Sequence, residues 1–233
     1  ASINVAENAT AVTTVTATDA DLPAQTLTYS ISGGADQALF SIDPSTGVLR
    51  FSAAPNFEAP TDSGTDNVYD VIVQASDGAM TDTQTIAVTV TPVNDNNPVI
   101  TSNGGGASAS INVAENATAV TTVTATDADL PAQTLTYSIS GGADQALFNI
   151  DASTGALGFA SAPDYETPSD FGADNVYEVT VQASDGTQTD TQAIAVTVSD
   201  ANEFSVGAIS DANAAVNSVA ENAGVGTLTG VTA

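Results

Sequence analysis

Acidic residues are the side chains in this sequence with both the number and the placement to do chemistry. There are 28 Asp and Glu against one basic residue, Arg50, and there is no His, Cys or Trp. Most of the acids avoid the centres of β-patterned stretches and gather at their ends. The first set is Glu7, Asp19, Asp21, Glu58, Asp77 and Asp95; the second is Glu115, Asp127, Asp129, Glu166, Asp185 and Glu203. Clustered carboxylates repel one another, and a hard divalent cation taking roughly six to eight oxygen ligands reconciles them. Asn side chains and main-chain carbonyls complete such shells, and Asn94-Asp95-Asn96-Asn97 supplies both. Calcium is the cofactor these residue types point to.

Other chemistries lack their residues. A serine or threonine nucleophile needs a neighbouring base, and the chain has no His, Cys or Lys to activate one. Paired carboxylates hydrolyse glycosides, but such enzymes grip sugars with aromatic platforms, and here there is no Trp and only 5 Tyr. The same acids recur in each half of the chain, which suits a structural device better than an active site. The protein is therefore expected not to be an enzyme. A net charge of −27 also excludes nucleic acid, whose phosphates need Lys and Arg, and makes an anionic membrane surface a poor partner. Neither a membrane-spanning apolar stretch nor a signal peptide is present, and the chain opens in mid-pattern, as a fragment of a longer protein does.

The elements that must position these acids come in repeats. Residues 2–40 recur letter for letter as 110–148. Ile42-Asp43-Pro44-Ser45-Thr46-Gly47 returns as Ile150-Asp151-Ala152-Ser153-Thr154-Gly155, and Gln-Ala-Ser-Asp-Gly occurs at 74–78 and 182–186. A third copy opens with Val219-Ala220-Glu221-Asn222-Ala223 and stops at Ala233. The organisation reads as repeat 1 over 1–97, repeat 2 over 98–204 with a connection at about 94–110, and a truncated third repeat over 205–233. In each repeat, alternating apolar and polar residues predict about seven short strands in roughly 100 residues. In repeat 1 they fall at 3–5, 12–18, 27–32, 38–42, 48–51, 68–75 and 83–90. Tyr69, Val71, Val73 and Ala75 share one face; Ile86, Val88 and Val90 share another. No stretch shows helical periodicity. The fold class is all-β: tandem seven-stranded, immunoglobulin-like Greek-key β-sandwiches arranged end to end.

Four motifs, in order and three of them in both copies, resemble the cadherin family. Ala6-Glu7-Asn8 is similar to its Pro-Glu-Asn. Asn56-Phe57-Glu58 and Asp164-Tyr165-Glu166 are similar to Asp-Arg-Glu. Asp19-Ala20-Asp21 and Asp127-Ala128-Asp129 match Asp-Ala-Asp. Val93-Asn94-Asp95-Asn96-Asn97-Pro98 is similar to the linker Asp-x-Asn-Asp-Asn-x-Pro. The run Phe40 to Leu49, its copy Phe148 to Leu157, and the Ala-x-Asp-Gly around Asp77 and Asp185 also fit. Such repeats also build large bacterial surface adhesins, and a bacterial source is expected here.

The resemblance implies calcium between successive repeats. Repeat 1 would contribute Glu7, Asn56 and Glu58, the linker Asn94, Asp95 and the Asn96 carbonyl, and repeat 2 Asp127, Asp129 and Asp185. Asn56 stands where the family has Asp, and Pro92 where the linker has its first Asp. Both remove negative charge, so fewer or weaker ions are expected, with the site nearest repeat 2 the most complete. Two half-sites follow: Asp19, Asp21 and Asp77 at the upstream end; Glu115, Asp164, Glu166, Asp200, Asn202 and Glu203 at the downstream end. The acidic insertions at 60–67 and 168–175 read as solvated hairpin tips rather than calcium loops. Asn8-Ala9-Thr10 matches the glycosylation acceptor pattern, which a bacterial cell usually leaves unmodified. The glycines at 33–34 and 104–106 read as turn and linker residues.

The implied function is a calcium-rigidified extracellular scaffold or adhesion segment of a long cell-surface or secreted protein. Its partners are calcium and the neighbouring repeats. The alternatives are a module binding cell-surface polysaccharide or protein through its loops or a sheet face, and homophilic self-association.

Overall fold

Alternation of β-branched and polar residues organises the computed structural model, which describes residues 1–203. The expectations for the third copy, 205–233, lie outside the described residues. Ala1–Ser199 form one compact unit, and Asp200–Ala233 a second.

Seven strands build repeat 1: β1 (Ser2–Ala6), β2 (Ala11–Thr14), β3 (Thr28–Gly33), β4 (Phe40–Ile42), β5 (Val48–Phe51), β6 (Val68–Ser76) and β7 (Thr81–Thr91). They form a four-stranded sheet ordered β1-β7-β6-β3 and a three-stranded sheet ordered β2-β5-β4. All neighbours are antiparallel except β1 and β7, which run parallel with Ser2 opposite Ala87 and Ala6 opposite Thr91. Between the sheets lie Leu49, Tyr69, Val71, Val73, Ile86, Val88 and Val90, each at most 1% exposed. Phe40 stacks on Phe51 at 4.7 Å, and Tyr69 meets Phe51 edge-on at 5.2 Å.

Repeat 2 repeats this plan and adds to it. Its strands are β8 (Val99–Ile100), β9 (Ser108–Ala114), β10 (Ala119–Thr122), β11 (Ala125–Thr126), β12 (Thr136–Gly141), β13 (Phe148–Ile150), β14 (Ala156–Phe159), β15 (Val176–Ser184) and β16 (Thr189–Ser199). The sheets are β12-β15-β16-β9 and β10-β14-β13, with a separate β8–β11 pair. Between Asn94 and Ser110 the chain is largely structured. Ile100 is 2% exposed within the core of repeat 2, and Ser102–Gly104 form a 3-10 turn in which Asn103 takes φ 53°.

Two strand expectations are trimmed. The stretch 12–18 carries strand only at β2, because Val15 leaves the ladder to donate to Gly47 O at 2.8 Å. Residues 38–39 belong to the 3-10 turn Gln37–Leu39, and β4 begins at Phe40.

The acidic insertions are largely solvated, as expected, but each turns around one buried carboxylate. Asp62 is 4% exposed and accepts amides of Gly64, Asp66 and Asn67 at 3.0–3.1 Å, so its oxygens are taken up by the turn itself. Those amides hold its carboxyl below the ordinary value, although burial pushes it up. Asp170 repeats the arrangement with Asp174 and Asn175.

Candidate metal centre

Strand ends bring the acids together because each end is tied by its own side chain. Glu7 follows β1 and is 3% exposed. Its Oε1 accepts the Val93 amide at 2.7 Å and its Oε2 the Phe57 amide at 2.8 Å, fastening the β1 end to both the linker and the 56–58 loop. Asn56 Oδ1 accepts from Glu58 and Ala59 amides at 2.8 and 3.1 Å, a local turn that presents Glu58. Asp129 donates its amide to Asp127 Oδ1 at 2.9 Å, closing the Asp-Ala-Asp turn. Asp185 sits in the β15–β16 hairpin, where its Oδ1 accepts Thr187 and Gln188 amides at 2.6 Å and leaves Oδ2 to face the linker.

Two groups of carboxylates result at the junction of the repeats. Glu7, Glu58 and Asp95 place one ligand oxygen each within 4.8 Å of one another, and Asp127, Asp129 and Asp185 do the same. Like charges at that separation repel by about 3–4 kcal/mol per pair at an effective dielectric of about 20. No Lys or Arg offsets them, since the single basic residue, Arg50, lies on β5.

Hydrogen bonds cross the junction. The Leu130 amide donates to Glu58 Oε1 at 3.2 Å. Asn96 donates to Asp129 Oδ1 from its main chain at 3.1 Å and from Nδ2 at 2.6 Å, and Nδ2 also reaches Asp95 Oδ1 at 3.1 Å. Burial pushes the Asp129 carboxyl up, but the Asn96 side chain and main chain, with the Asp95 amide and Gln133, hold it below the ordinary value. The amides of Gln188 and Thr187, together with Asn94, lower Asp185 against burial and the nearby Asp129 charge.

Three oxygen positions have the chemistry of a cation site. Glu58 Oε2 and Asp127 Oδ2 are buried and accept no hydrogen bond, a costly condition for a carboxylate oxygen. The terminal amide atom of Asn94 lies 2.9 Å from Asp185 Oδ2 and 3.2 Å from Asp129 Oδ2. As nitrogen it donates to both; as oxygen it leaves three acceptors converging, which a cation satisfies. An all-oxygen donor set of carboxylates, an amide and main-chain carbonyls fits calcium.

The half-sites are also assembled. Asp19, Asp21 and Asp77 lie within the same mutual distance, as do Glu115, Asp164 and Glu166. Asp164 Oδ1 presents Glu166 as Asn56 does Glu58, accepting amides of Glu166 and Thr167 at 3.0 and 3.2 Å. Asp200, Asn202 and Glu203 belong to the second unit.

Sequence reasoning missed three amides. Asn8, read only for its motif and its glycosylation pattern, donates from Nδ2 to Asp95 Oδ2. Gln133 Nε2 reaches Asp129 Oδ2 at 3.4 Å, and Gln25, with its amide turned, donates to Asp19 Oδ2 at 2.9 Å and Asp77 Oδ2 at 3.3 Å. The signal was there in part: each Gln follows its Asp-Ala-Asp by four residues in both copies.

Comparison with known proteins identifies the family of the two repeats. A family model described as "Cadherin domain" matches residues 1–91 and 109–199. Human Protocadherin Fat 1 is 33% identical over 206 residues, covering 84% of this chain and 4% of that protein. Mouse Cadherin-8 is 34% identical over 212 residues, covering 83% of this chain and 26% of that protein. Among solved structures, Protocadherin Gamma B2 extracellular cadherin domains 3-6 superimpose with a TM-score of 0.61 at 25% identity, covering 86% of this chain and 51% of that one. Human Protocadherin-24 EC1-2 gives a TM-score of 0.62 at 22% identity, covering 86% and 95%. The chain thus spans a small part of the curated relatives it matches.

Proposed function

Because this chain belongs to the cadherin family, we propose that it is a pair of extracellular repeats whose junction is stiffened by calcium, within a longer adhesive or scaffolding protein. The observation that carries this reading is the pair of buried, unpartnered oxygens, Glu58 Oε2 and Asp127 Oδ2, one from each side of the junction. Bound calcium supplies the positive charge that these carboxylates lack. Asp127, Asp129, Asp185, Asn94 and the Asn96 carbonyl hold the position nearest repeat 2. Glu7, Glu58 and Asp95 hold the position nearest repeat 1, with Asn56 as a turn former beside them. Asp19, Asp21 and Asp77, like Glu115, Asp164 and Glu166, are half-shells for further junctions. Domain limits of 1–97 and 98–204 place the linker between these shells.

Linker residues do the mechanical work. Glu7 holds the Val93 amide, Asn8 holds Asp95, and Asn96 grips Asp129. Those bonds restrain the chain where Pro92 to Pro98 carries no strand. Removing the cation leaves two carboxylate triads in mutual repulsion, and the linker hinges. Extracellular modules bind calcium at about 10⁻⁴–10⁻³ M, so the junction is rigid outside a cell and loose inside. Acids repeated in every copy serve this role better than catalysis. Among partners, a second copy is favoured over polysaccharide: a matched structure, protocadherin gammaB7 EC3-6, is described as a cis-dimer, and aromatic residues for sugar stacking are few.

Thermal unfolding and small-angle scattering in EDTA and in millimolar calcium test the reading. A higher melting temperature and a stiffer scattering profile are expected with calcium. Identical curves in the two conditions sink it.

A further inference from the structure

Asn67 and Asn175 each close an acidic insertion in a conformation that glycine adopts more easily. Both take φ 62°, in the left-handed region where a side chain is strained and glycine is not. Asn67 is 8% exposed. Its Oδ1, like that of Asn175, is buried and accepts no hydrogen bond, a second local cost. Against these stands one bond in each copy. Asn67 Nδ2 donates to Phe57 O at 2.9 Å, and Asn175 Nδ2 donates to Tyr165 O at 3.0 Å. Three positions of the insertion differ between the copies: Thr61 and Ser169, Ser63 and Phe171, Thr65 and Ala173. The asparagine and its bond are the same in both. A strained residue with an unpaired buried oxygen calls for a compensating role, and the bond to the 56–58 loop points to one.

Phe57 O belongs to the peptide that carries Glu58. That peptide is held from both ends: the Phe57 amide donates to Glu7 Oε2 at 2.8 Å, and the Glu58 amide to Asn56 Oδ1 at 2.8 Å. Beyond it, Glu58 Oε1 accepts the Leu130 amide of repeat 2, and Oε2 is the buried oxygen without a partner. The insertion that delivers Asn67 is itself fixed to the sandwich. Asp36, 5% exposed, accepts the Ser63 amide at 2.7 Å and the Asp70 amide at 2.8 Å. Asp62 Oδ1 accepts the Asn67 amide at 3.1 Å, and the Val90 amide on β7 donates to Asn67 O at 2.9 Å. Repeat 2 has the same frame. Asp144 accepts Phe171 and Glu178 amides at 2.6 and 2.8 Å, Asp170 the Asn175 amide at 3.1 Å, and Glu115 Oε2 the Tyr165 amide at 2.7 Å.

We infer that the acidic insertion is a buttress for the metal ligand Glu58, with Asn67 as its positioning residue: through the Phe57 carbonyl, Asn67 sets the peptide from which Glu58 reaches the junction. Asn175 does the same for Glu166 in the downstream half-shell. Asn67 acts only through Glu58 and is not itself a ligand. A carboxylate whose backbone is already fixed loses less freedom on meeting a cation, so the buttress strengthens binding without adding a ligand. The effect on calcium affinity rests on the calcium reading above; the effect on the 56–58 loop rests on the hydrogen bonds alone.

Asn67→Gly tests it, because glycine keeps the left-handed backbone and removes only the side-chain bond. Asn67→Asp, which keeps the shape but replaces the donor with an acceptor, is the second variant, and Asn175→Gly is the control away from the junction. The Leu130 amide, bonded to Glu58, reports the junction in an NMR calcium titration. Asn67→Gly is expected to weaken calcium binding there by about tenfold, and Asn67→Asp at least as much. In EDTA, Asn67→Gly is expected to speed hydrogen exchange of the Phe57 and Glu58 amides by about tenfold, with a melting temperature within about 3 °C of the parent. Asn175→Gly is expected to leave the junction's calcium midpoint unchanged. A parent-like calcium midpoint in Asn67→Gly, or an equal weakening by Asn175→Gly, overturns the inference. A parent Leu130 signal that calcium does not move overturns the calcium reading instead. The exchange rates in EDTA then decide the buttress by themselves: faster exchange in Asn67→Gly supports it, and unchanged exchange overturns it.

Discussion

Asp21 and Asp129 stand in identical stretches of sequence, yet Asp21 is exposed and Asp129 is 1% exposed. Leu22 is 92% exposed and Leu130 48%. Nothing local distinguishes the members of each pair. Asp129 is covered by Asn96 of the linker, and Leu130 donates its amide to Glu58 of repeat 1. The difference teaches that the residues of a single repeat make only half of this site; the junction makes the other half. A half-shell such as Asp19, Asp21 and Asp77 has its acids in place, and among the described residues no linker side chain covers Asp21 as Asn96 covers Asp129.

The sharpest way to break the comparison is to remove one member of the pair at a time. Asp129→Ala in calcium is expected to abolish the calcium-linked stabilisation of the junction. At a calcium concentration 100 times the Kd this amounts to about 2.7 kcal/mol, added to the lost bonds from Asn96. Asp21→Ala is expected to stay within about 0.5 kcal/mol of the parent, as exposed substitutions do. Calorimetry of both variants with and without EDTA decides it. Equal losses at the two positions would show that closure by the linker contributes nothing.

A second contrast is smaller and needs no metal. Gln192 is fully buried and bonds Ser102, Asn103 and Gly106, whereas Gln84 is exposed. Gln192→Ala leaves the Ser102 and Gly106 carbonyls and the Asn103 amide without this partner and is expected to cost about 1–3 kcal/mol. Gln84→Ala is expected to cost less than about 0.5 kcal/mol. Urea unfolding of the two variants measures the gap; equal costs would mean that Gln192 acts through packing within β16 and not through its bonds to residues 102–106.

These contrasts also mark what the sequence could disclose. Period-2 patterning placed all seven strands of repeat 1, because a residue such as Val71 faces the core wherever it sits in a sandwich. The acids at strand ends were legible for a similar reason: turn chemistry at Asp43, Asp77 and Asn56 is local. The segment from Val99 to Gly106 was not legible. Val99–Ile100 is two residues long, its periodicity is too brief to read, and the glycines after it carry the signature of a linker. Its hold on the core depends on Gln192, which lies far along the chain and is a polar residue in a strand. The amides of Asn8, Gln25 and Gln133 were overlooked because their partners are set by the assembled junction or half-shell, not by spacing.

Asp77 and Asp185 are the pair on which the two repeats agree, and they sharpen the comparison with the smallest effect. Each caps the same hairpin turn: Asp77 Oδ1 accepts Ala79 and Met80 amides at 2.7 and 2.6 Å, as Asp185 accepts Thr187 and Gln188. The amide of Met80, then that of Ala79, lowers Asp77; the amide of Gln188 leads in lowering Asp185. A carboxyl lowered on folding adds stability that is complete above its unfolded value, about 3.8. That stability is lost as pH falls through the lower folded value. Carboxyl-carbon NMR titration in EDTA is therefore expected to give both residues midpoints below 3.8. The context enters through one charge, since Asp129 raises Asp185 by Coulomb repulsion. Asp129→Ala should move the Asp185 midpoint further down and leave that of Asp77 where it is. If both midpoints move together, the turn and the junction are coupled through the backbone, and the division between local turn and assembled site fails at this point.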